Sequence, residues 1–162
     1  MVDPNRTARR VTNEVRTELG DAVEIKVMSS MPMILAEPVV LGQVLSNLLS
    51  NAAKFKREHD HAKVTLRAEL RGDRVRLWVE DEGIGIAPEH QARIFDVFER
   101  LHGQEVYPGT GIGLAIVKKG VECMGGAYGV ESALGHGSRF WIELPAAGDS
   151  PEQAEPEGEA LA

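Results

Sequence analysis

The segment QVLSNLLSNAAKF, residues 43–55, decides the fold. It belongs to the most regular helical pattern of the chain, which begins at Pro38, a residue suited to the first position of a helix. Asn47, Asn51 and Lys54 follow one another at steps of four and three, so they line one side of this helix. Apolar residues recur at the spacing of a buried face, and they are Leu41, Val44, Leu45, Leu48, Leu49 and Ala52.

Extended patterns surround this helix on both sides. Apolar and polar residues alternate over 23–27, over 64–70 and over 75–79, and the turn RGDR between the last two predicts a β-hairpin. Two further strands are predicted around YGVES and SRFWIEL, joined by the turn ALGHG and ended by Pro145. These patterns predict a sheet that is mostly antiparallel.

Three other helices are predicted around the sheet. The first covers residues 5–19 and ends before Gly20, and the last covers 114–124 and is closed by two glycines. A middle helix begins at Pro88 and carries Ile94, Phe95, Phe98 and Leu101. Helices and strands in this order predict an α+β fold, a two-layer α/β sandwich whose mixed, mostly antiparallel sheet is covered on one face by helices.

Composition excludes several classes of protein. Five of the acidic residues behind the net charge of −7 lie in the segment 149–162, so the rest of the chain carries −2 and gives no reason to expect binding to nucleic acid or to an anionic membrane. No stretch is long and apolar enough to span a bilayer. The single cysteine, Cys123, excludes an internal disulfide and is predicted to lie in the core.

The asparagines of the central helix are a candidate site for a metal and phosphates. Asparagine is a poor helix-interior residue, because its side chain competes for backbone hydrogen bonds. A neutral amide oxygen can ligate Mg²⁺ while bound phosphates supply the negative charge, and Lys54 could reach those phosphates. The alternative, that the asparagines cap loops or face solvent, is equally compatible with this helix taken alone.

The segment DEGIGI, residues 81–86, is a candidate site for a flat ligand. Asp81 ends a strand and can accept a hydrogen bond from an exocyclic amine such as that of adenine, whereas guanine presents a carbonyl there. Gly83 and Gly85 would let the backbone approach the ligand closely. An ordinary Asp-Gly turn is the alternative, and it is favoured when the segment is considered alone.

The segment GTGIGLAI, residues 109–116, is a candidate phosphate site. Glycine-rich turns at helix N-termini expose backbone N–H groups that hold phosphates. The spacing of Gly109, Gly111 and Gly113, with no buried strand leading into it, does not fit a dinucleotide-binding fingerprint, and no Walker-type GKS or GKT is present.

Together these segments resemble the sensor histidine kinase catalytic domain. NLLSNAAKF resembles its N box, DEGIGI its G1 box, IFDVFERL its F box and GTGIGLAIVKK its G2 box, and the order and approximate spacing agree over residues 20–145. The wording FERLHGQEVYPGTGIGLAI is similar to the kinase modules of bacterial phytochromes and their relatives. The resemblance implies the Bergerat ATP-binding fold, with ATP and Mg²⁺ bound between the N-box helix and a lid.

The resemblance also implies a role for each site residue. Asn51 would ligate Mg²⁺, Asn47 would support metal or phosphates, and Lys54 and Arg100 would contact phosphate. Asp81 would hold the adenine amine, while Phe95 and Phe98 would anchor the base of the lid in the core. The remaining ATP-binding residues would be Phe55, Gly83, Gly85, Ile86, Gly109, Thr110, Gly111, Ile112, Gly113 and Leu114.

Asn47 separates phosphotransfer from hydrolysis. Related ATPases of the gyrase and chaperone type resemble this fold but carry at this position a glutamate that activates water. A neutral amide has no usable basic site near pH 7, so it cannot act as a general base. The resemblance with Asn47 therefore implies a histidine kinase, and the alternatives are a nucleotide-binding regulatory or scaffold domain without catalysis and a slow ATPase.

The phosphorylated histidine is predicted to lie outside this chain. None of the five histidines sits in the His-Glu/Asp-x-x-x-Pro context of the family's acceptor, and His59 and His61 in EHDHA are interpreted as surface residues.

The expected domains are a connector from the missing hairpin at 1–20, the catalytic domain at 21–146 and a disordered acidic tail at 147–162. The implied partners are the dimerisation and phosphoacceptor domain of the parent kinase and a response regulator receiver domain, for a cytoplasmic protein that is monomeric as this fragment. Before the N-box helix the family usually has Asp where this chain has Glu37, a change expected to affect only the helix cap.

Overall fold

A mixed sheet with helices packed on one face forms the described part of the chain, which in this computed structural model comprises residues 1–20, 23–28, 30–54, 62–91, 93–95 and 113–147. Within these residues the sheet has five strands in the order β1-β2-β3-β5-β4. β1 pairs with β2 in parallel, and the other three pairings are antiparallel. The elements are α1 Pro4–Leu19, β1 Val23–Val27, α2 Pro38–Lys54, β2 Ala62–Arg71, β3 Arg74–Asp81, α3 Pro88–Gln91, α4 Gly113–Cys123, β4 Ala127–Ser132 and β5 Ser138–Pro145.

The central helix α2 forms as its sequence predicts. It begins at Pro38, and its apolar face is buried against β2 and β3. The carboxylate of Glu37 accepts hydrogen bonds from the backbone N–H groups of Val39, at 2.9 Å, and Val40, at 3.0 Å. These are N–H groups of the first turn that have no partner within the helix, so Glu37 caps α2, as the sequence predicted.

Replacing Glu37 with alanine should lower the free energy of unfolding by about 1 kcal/mol, because the loss of an N-cap side chain leaves those N–H groups to solvent. Glu37→Asp keeps a carboxylate at the cap and should stay close to the wild type. Urea denaturation of the two variants beside the wild type measures the difference. Equal stability of the alanine variant and the wild type would show that the cap contributes nothing.

The N-terminal helix α1 packs into the same core. Its residues Ala8, Val11 and Val15 are buried and belong to the apolar cluster formed with the sheet and α2. The side-chain amide of Asn5 donates to the carbonyl of Met31, at 3.0 Å, and accepts from the Met31 N–H, at 3.2 Å. The division into a connector at 1–20 and a catalytic domain at 21–146 stays a prediction, but α1 is structurally part of the helical layer.

The helix α4 lies directly against α2. A Cβ atom at Gly120 would lie 2.9 Å from Cγ2 of Val44, so the absence of a side chain at this position permits the close approach. Val117 and Val121 face the core, one helical turn apart. The prediction that Cys123 lies in the core is wrong: Cys123 is exposed, because a position two residues after Val121 is rotated by about 200° around the helix.

The face of the sheet away from the helices carries tryptophan, arginine and glutamate side chains. Trp78 of β3 and Trp141 of β5 are opposite each other in the register. The guanidinium group of Arg76 lies 3.7 Å from the ring centroid of Trp141, and those of Arg67 and Arg139 lie about 5 Å from that of Trp78. Trp78 is only 4% exposed, so charged side chains with long apolar stems cover this face.

One other predicted element differs from the structure. The helix from Pro88 has four residues, and Ile94 and Phe95 follow it in a turn, both buried. The segment 32–37 before α2 makes isolated bridges through Ile34, which pairs with Val2 on one side and Ala146 on the other. No helix in the described ranges combines the length and the apolar composition that a membrane crossing requires.

Candidate functional site

Asp81 lies at the end of β3 on the face that the helices cover. The alternation of β3 places it on the same side as the buried residues Val75, Leu77 and Val79. In the register it is opposite Val64 of β2 and Ser138 of β5. Its Oδ1 atom accepts hydrogen bonds from the N–H of Gly83, at 2.9 Å, and from the N–H of Ser138, at 3.3 Å.

The electrostatic environment of Asp81 is unusual for an aspartate. Burial raises the pKa of Asp81 from 3.8 to about 6, while the hydrogen bonds from the N–H groups of Gly83 and Ser138 act in the opposite direction. The carboxylate is therefore charged at pH 7 although it has lost much of its water. Oδ1 is engaged by the backbone, and Oδ2 is the oxygen that takes part in neither of these bonds. A ligand that donates a hydrogen bond to Oδ2 would replace the missing hydration.

The loop 82–87 after β3 is shaped by contact with the turn between β4 and β5. Gly85 has φ +79°, and a Cβ atom there would lie 2.8 Å from the carbonyl carbon of Ala133 and closer still to its oxygen. The N–H of Gly135 donates to the carbonyl of Ile84, at 2.8 Å. Glycine is strongly favoured at position 85, because a side chain there would collide with the backbone of Ala133 unless the loop moved away.

Two polar side chains hold the peptide groups of Ile86 on both sides. The hydroxyl of Ser132 accepts from the Ile86 N–H, at 2.8 Å. The amide of Gln91, in α3, donates to the carbonyl of Ile86 and to that of Ser132, each at 2.9 Å. Ile86 itself is 5% exposed and belongs to the core cluster. The loop is thus fixed by hydrogen bonds as well as by packing.

The sequence reasoning missed Ser132, Ser138 and Gln91. A signal was available for Ser138, because it follows the two glycines of GHGS, a composition typical of a tight turn before a strand. In the structure both glycines, Gly135 and Gly137, have positive φ. Ser132 and Gln91 had no local signal. The contact between Gln91 and Ser132 spans 41 residues of the chain and that between Ile86 and Ser132 spans 46, and no pattern within one helix or strand reveals such contacts.

The polar edge of α2 forms the second part of the candidate site. The amide of Asn47 donates to the carbonyl of Gln43, at 2.9 Å. Its Oδ1 atom would lie 3.1 Å from a Cβ atom at Gly113, so it adjoins the first residue of α4. Lys54 is exposed at the end of α2. The structure therefore brings Asn47 of the N-box segment to the last glycine of the GTGIG segment.

Asn51 provides an observation that bears on a metal or phosphate ligand. Its Nδ2 atom is buried and has no hydrogen-bond partner among the described residues. A buried amide group without a partner is destabilising unless a ligand or water satisfies it. Nitrogen and oxygen of such an amide are assigned from their partners, so either orientation leaves one polar atom for a ligand. Asn51 therefore fits an amide that contacts Mg²⁺ or a phosphate oxygen.

The structure describes only some of the other predicted site residues. Leu114 is partly buried and packs against the core, and Gly83 is buried. Phe95 is buried, with its ring centroid 4.7 Å from that of Tyr128 and 6.1 Å from that of Phe140, so its predicted place in the core is confirmed. Outside the described residues lie Phe55, His59, His61, Phe98, Arg100, Gly109, Thr110, Gly111 and Ile112. Among the described residues, no group of three His, Cys, Asp or Glu side chains could hold a metal ion.

The chain matches a family of known proteins. Residues 36–148 match the family described as "Histidine kinase-, DNA gyrase B-, and HSP90-like ATPase". Cyanobacterial phytochrome A of Nostoc sp. is 42% identical over 123 residues, which cover 76% of this chain and 16% of the relative. The chain spans less than a fifth of the length of this relative and of two other curated relatives that it matches.

Two solved structures share the fold. The mycobacterial sensor histidine kinase MprB is 31% identical with a TM-score of 0.77, and the alignment covers 90% of this chain and 95% of that one. Full-length ShkA in complex with AMPPNP is 39% identical with a TM-score of 0.75, covering 90% of this chain and 30% of that one. The predicted α+β sandwich with a mixed sheet is therefore confirmed, both by the sheet topology and by these neighbours.

Proposed function

The chain belongs to the family of histidine kinase-, DNA gyrase B- and HSP90-like ATPases, and on that premise we propose that it is the catalytic domain of a two-component sensor histidine kinase. It binds Mg-ATP and transfers the γ-phosphoryl group to a histidine on a separate dimerisation and phosphoacceptor domain. A response regulator receiver domain then takes the phosphoryl group. The relatives that are sensor histidine kinases, among them MprB, support this assignment.

The environment of Asp81 is the observation that carries the proposal. Asp81 is a partly buried carboxylate whose Oδ1 accepts from two backbone N–H groups, while Oδ2 takes part in neither bond. Such a carboxylate is suited to accept a hydrogen bond from the adenine amine through Oδ2. Guanine has a carbonyl at the corresponding position and would place an acceptor against an acceptor. A hydrogen bond to a charged group contributes about 1.5–3 kcal/mol, so the preference for ATP over GTP should be about tenfold to a hundredfold.

The polar edge of α2 is assigned to the phosphates. The amide of Asn51 contacts Mg²⁺ or a phosphate oxygen, and the exposed ammonium group of Lys54 neutralises phosphate charge. Mg²⁺ supplies charge neutralisation between the phosphates when it is bound. In phosphoryl transfer the protein contributes mainly positioning and electrostatic stabilisation, so these side chains need no proton-transfer role.

Asn47 favours transfer to a histidine over hydrolysis. Its amide donates to the Gln43 carbonyl, and its oxygen adjoins Gly113, so the side chain is fixed in the contact between α2 and α4. An amide in this place cannot remove a proton from water. Water attack is therefore slow, and ATP keeps its γ-phosphate until the acceptor histidine arrives. No observation favours the slow ATPase or the inactive scaffold as a second function.

Calorimetric titration of the 162-residue protein with ATP in the presence of Mg²⁺, beside the same titration with GTP, tests this function. We expect ATP to bind with a micromolar to submillimolar Kd and GTP to bind at least tenfold more weakly. Phosphate release should be slow, and radiolabelled phosphate should pass to a separately supplied helical hairpin with an acceptor histidine. A folded protein that binds neither nucleotide, or binds both equally well, would contradict the proposal.

A further inference from the structure

A single peptide group connects Ser132 with Asp81. The carbonyl of Gly137 accepts a hydrogen bond from the Ser132 hydroxyl, at 2.8 Å. The N–H of the same peptide group, which belongs to Ser138, donates to Oδ1 of Asp81. Because a trans peptide group is planar and its C=O and N–H point in opposite directions, a bond that fixes the carbonyl also fixes the N–H.

The residue before this N–H cannot itself fix the orientation of the peptide group. Gly137 has φ +78°, and a Cβ atom there would lie 3.0 Å from the carbonyl carbon of Asp81 and closer still to its oxygen. Glycine is therefore required at this position. Glycine has no side chain that could hold the adjoining peptide group in place. Ser138 is paired in the sheet with Asp81 of β3 and Ser132 of β4, and the Ser132 hydroxyl adds a hydrogen bond to the carbonyl of this peptide group.

The hydrogen-bonding capacity of Ser132 is fully used within the protein. A hydroxyl has one proton to donate and two lone pairs to accept with. Ser132 donates to the Gly137 carbonyl and accepts from the Ile86 N–H, and the Ser138 hydroxyl lies 2.8 Å away, where it can donate to the second lone pair. This arrangement satisfies every group, and it leaves Ser132 no capacity to bind a ligand directly.

We propose that Ser132 is a positioning residue for base recognition, which acts through the Gly137–Ser138 peptide group to fix the carboxylate of Asp81. The same hydroxyl fixes Ile86 at the end of the loop 82–87, so one side chain orients both the carboxylate and the loop beside it. The part of this inference that concerns adenine rests on the proposed function. The part that concerns Asp81 does not, because it can be measured without nucleotide.

The titration of Asp81 in the nucleotide-free protein is the direct test. In the sheet Asp81 is opposite Val64 and Ser138, neither of which is charged, and its neighbour Glu82 is exposed. Burial and the two N–H bonds therefore govern its titration among the described residues. In Ser132→Ala the Gly137–Ser138 peptide group loses the hydrogen bond to its carbonyl, and the bond from the Ser138 N–H to Asp81 should weaken. The pKa of Asp81 should therefore rise from about 6 by up to about one pH unit, and the Ser138 amide should exchange faster with solvent.

Three variants separate positioning from loss of stability. Ser132→Thr keeps the hydroxyl and should restore the wild-type titration. Ser132→Cys has a weaker donor of similar size and should shift the titration in the same direction by less, so it decides the question if the alanine variant does not fold. Val15→Ala removes buried volume in α1 and should lower stability without moving the titration of Asp81.

The measurements are NMR titration of the Asp81 carboxyl carbon and amide exchange at Ser138, followed by ATP calorimetry across pH 5.5–8. The binding profile of Ser132→Ala should move to higher pH with the pKa, and ATP should bind up to about threefold more weakly near pH 6.5, because a one-unit rise in the pKa lowers the charged fraction of Asp81 by about that factor. An unchanged pKa and unchanged Ser138 exchange in Ser132→Ala would overturn the inference. A wild-type protein that does not bind ATP would instead contradict the proposed function, and the titration would still decide the role of Ser132.

Discussion

Asp81→Asn should weaken ATP binding by about tenfold to a hundredfold and, at the same time, make the nucleotide-free protein more stable at pH 7. Asparagine has nearly the same shape, and its oxygen can accept from the N–H groups of Gly83 and Ser138 as the carboxylate does. It lacks the charge that strengthens a hydrogen bond from adenine. It also lacks the charge that is unfavourable to bury.

The stability effect follows from the direction of the pKa change. Folding raises the pKa of Asp81 from 3.8 to about 6, so between these values the folded state binds more protons than the unfolded state. The contribution of Asp81 to the wild-type free energy of unfolding should therefore fall as pH rises from 4 to 6 and stay level above 6. A difference of about two pH units corresponds to about 2–3 kcal/mol, which the asparagine variant regains at pH 7.

Urea denaturation at pH 4.5 and pH 7.5, with calorimetry at pH 7.5, measures both effects. Asp73→Asn is the matched control, since Asp73 is an exposed carboxylate in the turn between β2 and β3. It should leave ATP affinity unchanged, and it should not raise stability at pH 7.5 as Asp81→Asn does. If Asp81→Asn were less stable than the wild type at pH 7.5, the Asp81 carboxylate would be a stabilising group, and its assignment as a ligand-binding residue would lose its physical basis.

The sequence predicted those elements whose pattern is local and regular. The face of α2 combines six apolar residues at helical spacing, and the strands 64–70 and 75–79 alternate without interruption, so both appear where they were expected. The end of the second of these strands at Asp81 was also expected, whereas the role of Asp81 came from the family resemblance and stays a prediction. In each case the side chains that decide the structure are neighbours along the chain.

What the sequence could not predict depends on contacts between distant segments. The peptide group of Ile86 is fixed by Ser132, which lies 46 residues further on, and serine at a strand end has many possible partners. The exposure of Cys123 depends on which side of α4 packs on α2, and the helix sequence alone allowed more than one side. The packing of α1 on α2 was not expected either, because a narrow apolar stripe fits a connector and a core helix equally well.

Gly85→Ala should be the most damaging single change in the loop 82–87. An alanine there must adopt a φ of +79°, and its Cβ would collide with the backbone of Ala133. Relief requires the loop to move away from the turn between β4 and β5. This movement would break the bond from the Gly135 N–H to Ile84 and the bond from the Ile86 N–H to Ser132.

Gly72→Ala is the matched control for Gly85→Ala. Gly72 has a similar φ of +65°, but a Cβ atom there would meet no atom within 4 Å. Its variant carries the conformational strain alone and should lose about 1 kcal/mol of stability with unchanged ATP affinity. Gly85→Ala adds the collision and the broken hydrogen bonds, and should lose about 3 kcal/mol together with at least tenfold in ATP affinity. Urea denaturation measures the loss of stability in the two variants, and calorimetry measures the loss of ATP affinity. If both variants lost the same amounts, backbone strain would account for the whole effect, and the contact between residues 85 and 133 would not shape the site.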